Sequence, residues 1–234
     1  LKPQLAARQP QISDGGRTIT IPLRRDVLFH DGTRFDAAAI AFSLRRFLRI
    51  GTQSYVVGDR IQAIETPAVD VLRLRLSRPS SSLESLLTSP YLTPVSPTAY
   101  AKHQDSFLND RFVGTGPYQL ESFRATQQRL VPFERYWGEA PRNAGLDLIN
   151  LSNSTALFGA LRSGEVDVLL SESIDEDQRL ALDRRAEAGL LLQSSGPALQ
   201  IGYVTLLSNA PPLQSQQVRQ ALAYSLDRPL ISER

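Results

Sequence analysis

The sequence predicts an α/β fold with mixed β-sheets and flanking helices. Residues 18–23 alternate, so that Ile19, Ile21 and Leu23 share the buried face of a strand. Apolar residues in the next segment repeat at helical spacing instead, from Ile40 onward. With 234 residues and 41% hydrophobic content, the chain is long and apolar enough to bury a sizeable core.

The bulk composition argues against several classes of function. The formal net charge is only +2 and the charges are interspersed, so no basic face for nucleic acid is predicted. Cysteine is absent, and the two histidines, His30 and His103, are too few for a zinc site without added carboxylates. We therefore predict no metal and no cofactor. No apolar run approaches the roughly 20 residues that span a bilayer.

Residues 23–49 form the most informative stretch of the chain. His30-Asp31-Gly32-Thr33 is typical of a tight turn, in which glycine adopts a positive φ. Asp36 is a suitable N-cap for the following helix, and Phe35 is placed to pack against Ile40 across that cap. Gly51 is expected to end the helix, and arginines crowd its final turn, where cations suit the helix dipole: Arg45, Arg46 and Arg49.

The remaining elements follow from the same patterns. Predicted strands cover residues 61–64, 71–76, 118–123, 128–133, 146–151, 190–193 and 199–206. Predicted helices begin after Ser82, after Ser96, at residue 154 and at residue 175. Residues 51–58 are expected to form a polar loop that carries Tyr55, and the proline-rich residues 89–97 an extended crossing segment.

Several sequence motifs, in the order in which they occur here, resemble those of one protein family. Residues 23–46 read L-R-x-D-V-x-F-H-D-G-T-x-F-x-A-x-x-I-x-F-S-L-x-R, Gly114 begins G-T-G-P-Y, and Gly164 begins G-E-V-D. Residues 211–228 contain P-P-L and V-R-Q-A-L-A-Y-S-L-D-R. This set of motifs resembles that of the extracellular solute-binding proteins of family 5, which serve peptide, nickel and related ABC importers. The chain departs from the family at Gln9, where a tryptophan is usual, at Glu134, where asparagine is usual, and at Gln216-Gln217.

The resemblance implies a domain organisation. It predicts a lobe of a periplasmic binding protein-like (type II) fold, as a piece of a longer protein. Residues 1–17 and 95–210 would form the core subdomain of the first lobe, and residues 18–94 an inserted second subdomain. Residues 211–234 would begin the second lobe.

The resemblance also implies a function. We expect the substrate-binding component of an ABC-type importer, which captures a peptide or similar small solute by closure of two lobes and delivers it to the membrane permease. It would be extracytoplasmic, membrane-anchored in the full-length protein, monomeric and without enzymatic activity. The alternative is the solute-sensing domain of a cytoplasmic transcription regulator. Because the crossing segment lacks the basic residues of nickel-chelate binders, peptide or another organic solute is favoured over nickel.

Within this framework, three residues are candidates for ligand binding. Tyr55 lies in the loop 51–58, and Tyr91 and Thr93 lie in the crossing segment. Hydroxyl and amphipathic side chains in loops bounded by glycine or proline suit solute recognition, although the same residues could simply pack or face solvent.

The sequence supports catalytic and modification sites less well than it supports ligand binding. His30-Asp31 could be a general base, but its context favours a turn. Glu165 and Asp167 are predicted to share one side of a strand, which does not suit a carboxylate pair that straddles a substrate. Residues 80–82 lack a neighbouring base and indicate a helix start, and Asn153-Ser154-Thr155 matches the glycosylation pattern. Trp137 is predicted to pack in the core rather than to stack on a ligand.

Overall fold

The computed structural model describes residues 2–103, 105–106, 111–170, 174–194, 196 and 203–232. The chain divides into two compact units, Leu1–Asp175 and Glu176–Arg234. The subdomain boundaries inferred from the family resemblance stay a prediction. None of the described helices combines the length and apolar character needed to cross a membrane.

The first unit contains a four-stranded sheet with the order β1-β2-β4-β3. Its strands are β1 (Gln11–Ser13), β2 (Thr18–Pro22), β3 (Ile61–Ala68) and β4 (Val71–Leu76). β2 and β4 pair antiparallel with Ile19 opposite Leu74 and Ile21 opposite Leu72. This register places four apolar side chains on one face of the sheet, where they are almost completely buried.

Helix α1 (Ala37–Ile50) covers that face. The Asp36 carboxylate accepts a hydrogen bond from the Ala39 N–H at 2.8 Å, and Gly51 is the C-cap, so both predicted ends are confirmed. Gly51 has an extended rather than a left-handed backbone. Leu44 is buried against the sheet, and Phe29 and Phe35 from the preceding turn complete the core.

The arginines near the end of α1 bind neighbouring segments, and their favourable interaction with the helix dipole stays a prediction. Arg45 donates to the Ile64 carbonyl at 2.9 Å, Arg46 donates to the His103 carbonyl at 3.2 Å, and Arg49 pairs with Asp105 at 2.5 Å. Arginine side chains are long and carry several donors, so they reach these partners from the last turns of the helix.

Short helices replace two predicted irregular segments. Residues 51–58 are not wholly a loop, because α2 (Tyr55–Gly58) forms there and buries Val57. The crossing segment contains a 3₁₀ turn at Pro90–Leu92, which buries Leu92, and becomes extended only afterwards. In both places one apolar side chain reaches the core, and a short helical turn of the backbone brings it there.

Two further helices belong to this region. α3 (Leu83–Leu86) begins after Ser82 as predicted, but Ser82 makes no cap, and its hydroxyl accepts instead from Arg60 at 3.0 Å. α4 (Pro97–Tyr100) begins after Ser96, whose hydroxyl accepts from the Ala99 N–H at 3.3 Å. The predicted Ser-Pro helix start is therefore confirmed.

A three-stranded sheet with the order β5-β6-β7 follows in the first unit. Its strands are β5 (Tyr118–Arg124), β6 (Gln127–Pro132) and β7 (Leu146–Ile149), close to their predicted positions. α5 (Ser154–Ser163) ends at Gly164 in the left-handed conformation, as expected. The α/β class is confirmed, although the sequence predicts mixed sheets and every pairing within the described ranges is antiparallel.

The regular secondary structure described in the second unit is helical. Its helices are α6 (Glu176–Glu187), α7 (Gln216–Ser225) and α8 (Arg228–Ser232). The predicted charged helix is confirmed in α6, where Arg179 pairs with Glu176 and Asp183. The predicted strand at 190–193 is wrong: Leu190 and Leu192 are exposed and no described strand pairs with them. Of the predicted strand 199–206, residues 199–202 lie outside the described residues, and 203–206 are not a strand.

A substitution at Gly32 tests whether the turn between β2 and α1 requires a left-handed backbone. Its φ is +83°, and its N–H donates to the Phe29 carbonyl at 2.8 Å. A Cβ there would lie 2.9 Å from an Arg135 guanidinium nitrogen. We expect Gly32→Ala to lower the free energy of unfolding by roughly 1–2 kcal/mol, because a left-handed backbone strains an L side chain. Thermal denaturation followed by circular dichroism measures this loss.

Gly116→Ala is the matched control for Gly32→Ala. A Cβ at Gly116 meets no atom within 4 Å, and its φ is not positive, so this variant should melt within about 1 °C of the parent. Equal loss in both variants would show that the positive φ at Gly32 is not what the turn requires.

Candidate ligand-binding site

An apolar groove of about 350 Å³ opens on the first unit. One wall is the N-terminal segment, residues 2–10, and the other is residues 84–94, which include the start of the crossing segment. Its floor comes from β2, β4 and α1, through Ile21, Leu72 and Leu44. Small-molecule sites in proteins are mostly apolar clefts of about 300–1,000 Å³, so this groove is large enough for a small solute.

The N-terminal wall is fixed by backbone pairing with the end of β2. Ala7 N–H donates to the Pro22 carbonyl at 2.8 Å, and Arg24 N–H donates to the Leu5 carbonyl at 3.0 Å. Ala6 and Leu23 therefore form an antiparallel bridge. This wall extends the four-stranded sheet beyond the end of β2, so its position is set by the sheet.

Two serines fix the crossing segment at the opposite wall. Ser43 of α1 donates to the Val95 carbonyl at 3.2 Å, and its oxygen accepts the Val95 N–H at 3.0 Å. Ser96 is completely buried and donates to Asp31 Oδ2 at 2.5 Å. Thr93 and Pro94, which line the groove, come directly before these anchors.

Asp31 is held as a carboxylate by this arrangement. Its other oxygen accepts the Thr33 N–H at 3.0 Å and the Thr33 hydroxyl at 2.6 Å. Although Asp31 is largely exposed, partial desolvation of its carboxyl acts to raise the pKa, but the hydrogen bonds from Ser96 and Thr33 outweigh this effect and hold the pKa below its ordinary value. Asp31 is therefore an acceptor at neutral pH.

His30 joins the same turn to a second loop. Its Nδ1 accepts the Gly114 N–H at 3.3 Å, and its Nε2 lies 3.1 Å from the Gly116 carbonyl oxygen. The backbone N–H of His30 also donates to the Gly114 carbonyl at 2.9 Å. Because Nδ1 accepts and Nε2 must donate, these contacts assign a neutral imidazole that carries its proton on Nε2.

The loop 114–116 is also bound by Trp137. The indole N–H donates to the Thr115 carbonyl at 3.1 Å, and the ring packs against the edge of the core. The Arg24 guanidinium lies 4.7 Å from the ring centroid. The predicted packing role of Trp137 is therefore confirmed.

The three predicted ligand residues occupy different surroundings. Thr93 is exposed and lines the apolar groove. Tyr91 is 57% exposed and borders a separate depression of about 40 Å³, while Tyr55, 73% exposed, lines neither cavity. Ser89 and Leu92 line both cavities, so the two cavities are neighbours along this segment.

Other lining residues were not predicted from the sequence. Leu5 and Lys2 come from a segment with no regular pattern, and Glu84 and Leu87 from a four-residue helix and the position that follows it. The inward spacing of Leu83, Leu86 and Leu87 was the available signal, but it does not distinguish a core position from a groove wall. Only the folded chain brings these residues to one surface, because they come from segments about 80 residues apart.

The structure accounts for the rejected sites by other roles. Both ring nitrogens of His30 bind backbone groups of the loop 114–116, and Asp31 accepts from Ser96 and Thr33, so both side chains serve the turn. Asn153 is the N-cap of α5, and its Oδ1 accepts from the Ala156 N–H at 2.8 Å, so its side chain has a structural role at the start of the helix.

The predicted strand at Glu165 and Asp167 is wrong. Residues 165–170 form no strand, because the backbone reverses at Gly164, and the N–H groups of Glu165 and Val166 return to the Ala160 carbonyl. The two carboxylates therefore do not share the face of a sheet.

Comparison with known proteins places this architecture in a family. Residues 1–234 match the profile described as "Bacterial extracellular solute-binding proteins, family 5 Middle". The chain belongs to family 5 of the bacterial extracellular solute-binding proteins. Glutathione-binding protein GsiB from Salmonella paratyphi A is 27% identical over 221 residues, which are 93% of this chain and 42% of the relative. The GsiB of Escherichia coli O1:K1 is also 27% identical, over 226 residues, which are 94% of this chain and 43% of the relative.

Solved family 5 structures share the fold. MoaA of A. tumefaciens R10, in complex with mannopinic acid, is 27% identical and superposes with a TM-score of 0.77 over 99% of this chain and 47% of that one. NikZ of Campylobacter jejuni, in complex with Ni(L-His), gives 0.77 at 22% identity, over 98% of this chain and 46% of that chain. The chain thus spans somewhat under half the length of the proteins it matches.

Asp31→Asn tests the Asp31 anchor through its pH dependence. Since the folded-state pKa lies below the ordinary value near 3.9, its contribution is complete above about pH 4 and is lost as the pH falls further. We expect Asp31→Asn to lose about 0.5–1 kcal/mol at pH 6, a small value because the residue is exposed to solvent. The deficit should shrink towards pH 3 in urea unfolding measurements.

Glu134→Gln is the control for Asp31→Asn. Glu134 is exposed, so Glu134→Gln should have the same free energy of unfolding as the parent protein at both pH values. A deficit of Asp31→Asn that stayed constant from pH 6 to pH 3 would contradict the role assigned to the carboxylate.

Proposed function

We propose that this chain is part of the solute-binding component of an ABC-type importer. It captures a peptide or similar small organic solute, and the closure of two lobes around the solute presents it to the membrane permease. The observation that carries the proposal is the match of the whole chain to the family 5 profile. The regulator alternative has no comparable support.

The ligands of similar proteins favour a peptide-like solute. The curated relatives described above are named for glutathione, and a dipeptide-binding protein from Pseudoalteromonas, bound to Met-Leu, shares the fold with a TM-score of 0.75 at 22% identity. An apolar groove with hydroxyl groups at its edge suits such a solute, because apolar contacts supply affinity and a few polar groups set orientation.

We assign Thr93, Tyr91 and Tyr55 as ligand-contacting residues of this component. Thr93 has the most direct support, since it already lines the groove. Tyr91 and Tyr55 expose large amphipathic side chains, which are suited to contacts made as a solute or a second lobe approaches. We further propose that the protein is extracytoplasmic, membrane-anchored and monomeric, and that it has no enzymatic activity and no nucleic-acid partner.

A thermal-shift screen tests the function. The protein is heated with di- to pentapeptides, nickel chelates or oligosaccharides, each in large excess. A solute at a hundred times its dissociation constant should add about 2.7 kcal/mol of stability, which raises the melting temperature by several degrees. Stabilisation by peptides alone supports the proposal, and stabilisation by no class in a folded protein contradicts it.

Thr93→Ala tests the ligand assignment, with Thr98→Ala as its control. Both threonines are exposed, but Thr98 does not line the groove. We expect Thr93→Ala to weaken the binding of the solute found in the screen by about fivefold, the value of one hydrogen bond, and Thr98→Ala to leave it unchanged. Isothermal titration calorimetry measures both, and equal affinities would remove Thr93 from the site.

A further inference from the structure

One histidine joins the two sheets of the first unit. His30 lies in the turn after β2, and its ring binds the loop 114–116, which comes shortly before β5. The ring also packs edge-on against Phe133, which directly follows β6, with 5.1 Å between the ring centroids. Phe133 is buried and His30 is partly buried. The imidazole therefore lies at the junction of the four-stranded and the three-stranded sheet.

This junction requires a neutral imidazole. Nδ1 of His30 accepts the Gly114 N–H at 3.3 Å, and Nε2 donates to the Gly116 carbonyl oxygen at 3.1 Å. A protonated ring carries a hydrogen on both nitrogens, so it cannot accept at Nδ1, and two N–H groups then face each other. The backbone bond from the His30 N–H to the Gly114 carbonyl, 2.9 Å long, does not involve the ring. Protonation thus loosens the loop without detaching it.

Charged groups of both signs belong to the segments around the ring. They are Asp31 and Arg34 in the turn and Glu134 and Arg135 after β6, whereas the loop 114–116 has none. The Asp31 carboxylate favours a charged imidazole, although it is already bound by two hydroxyl groups. The Arg135 guanidinium lies 5.8 Å from the centroid of the phenylalanine ring that the imidazole contacts, and it disfavours a second cation there. These two effects oppose each other, while the loss of the acceptor at Nδ1 acts in one direction only.

We propose that His30 is a pH-sensitive switch, whose protonation breaks the contact with Gly114 and loosens the junction of the two sheets. Protons bind preferentially to the loosened form, because there the ring gains a proton without losing a hydrogen bond. The tight form is therefore favoured above the range in which imidazole titrates, roughly pH 5–8, and loses this advantage as the pH falls through it. The switch lies within the unit Leu1–Asp175 and does not depend on which solute the protein binds.

The chain has one tryptophan, and it is bound to this loop. The Trp137 indole N–H donates to the Thr115 carbonyl at 3.1 Å, so loosening of the loop should change the emission of Trp137. Emission is followed from about pH 8 to about pH 5. Hydrogen exchange of the Gly114 amide is measured by NMR over the same range and corrected for the pH dependence of intrinsic exchange.

The variants separate His30 from every other titrating group. His30→Asn places an acceptor oxygen close to the position of Nδ1 and does not titrate, whereas His30→Ala has no acceptor at any pH. His103→Gln is the matched control, because His103 is the only other histidine and its ring lies beside Ser106 instead. The parent chain itself is titrated first, which requires no substitution at the junction.

In the parent chain, the protection of the Gly114 amide should fall about fivefold as the pH falls, which is the value of one net hydrogen bond. Trp137 emission should change in parallel, and the β2–β4 amides should stay protected. His103→Gln should behave like the parent, His30→Asn should show neither change, and His30→Ala should show low protection of Gly114 throughout.

Three results would overturn the switch. The first is protection of the Gly114 amide that does not vary with pH in the parent chain. The second is an equal fall in His30→Asn, which would assign the titration to another group. The third is an equal loss of protection at Gly114 and in β2 and β4, which would show that acid destabilises the whole unit and not this junction.

Discussion

The tight turn at residues 30–33 holds together segments that are far apart in the sequence. Its histidine side chain binds both ends of the loop 114–116, and its aspartate binds Ser96. Each of these contacts joins a side chain to a buried or backbone group, and leaving such a group unpaired costs free energy. The turn therefore fixes two later segments relative to the sheet and helix that it connects.

The groove is a consequence of this arrangement. Ser43 and Ser96 hold the crossing segment against α1 and the turn, while the N-terminal segment is held by the end of β2. The surface between them is left open above apolar core residues. A cleft bounded by separately anchored segments needs few polar groups of its own, which suits a site for a largely apolar solute.

Local patterns predicted local structure well and long-range placement poorly. The cap at Asp36, the turn at Gly32 and the left-handed end at Gly164 follow from residues a few positions apart, and the structure contains all three. The strand expected at residues 190–193 depended on a partner that no short window reveals. Lys2 and Glu84 were missed for the same reason, since only the folded chain brings them to one groove.

The most direct test of the role of this turn is amide hydrogen exchange, followed by NMR, in His30→Ala. Loss of the imidazole should speed exchange of the Gly114 amide, which donates to His30 Nδ1, while the β2–β4 amides keep the protection of the parent protein. Unchanged exchange at Gly114, or an equal acceleration at every amide, would contradict the claim that this turn specifically holds the second loop in place.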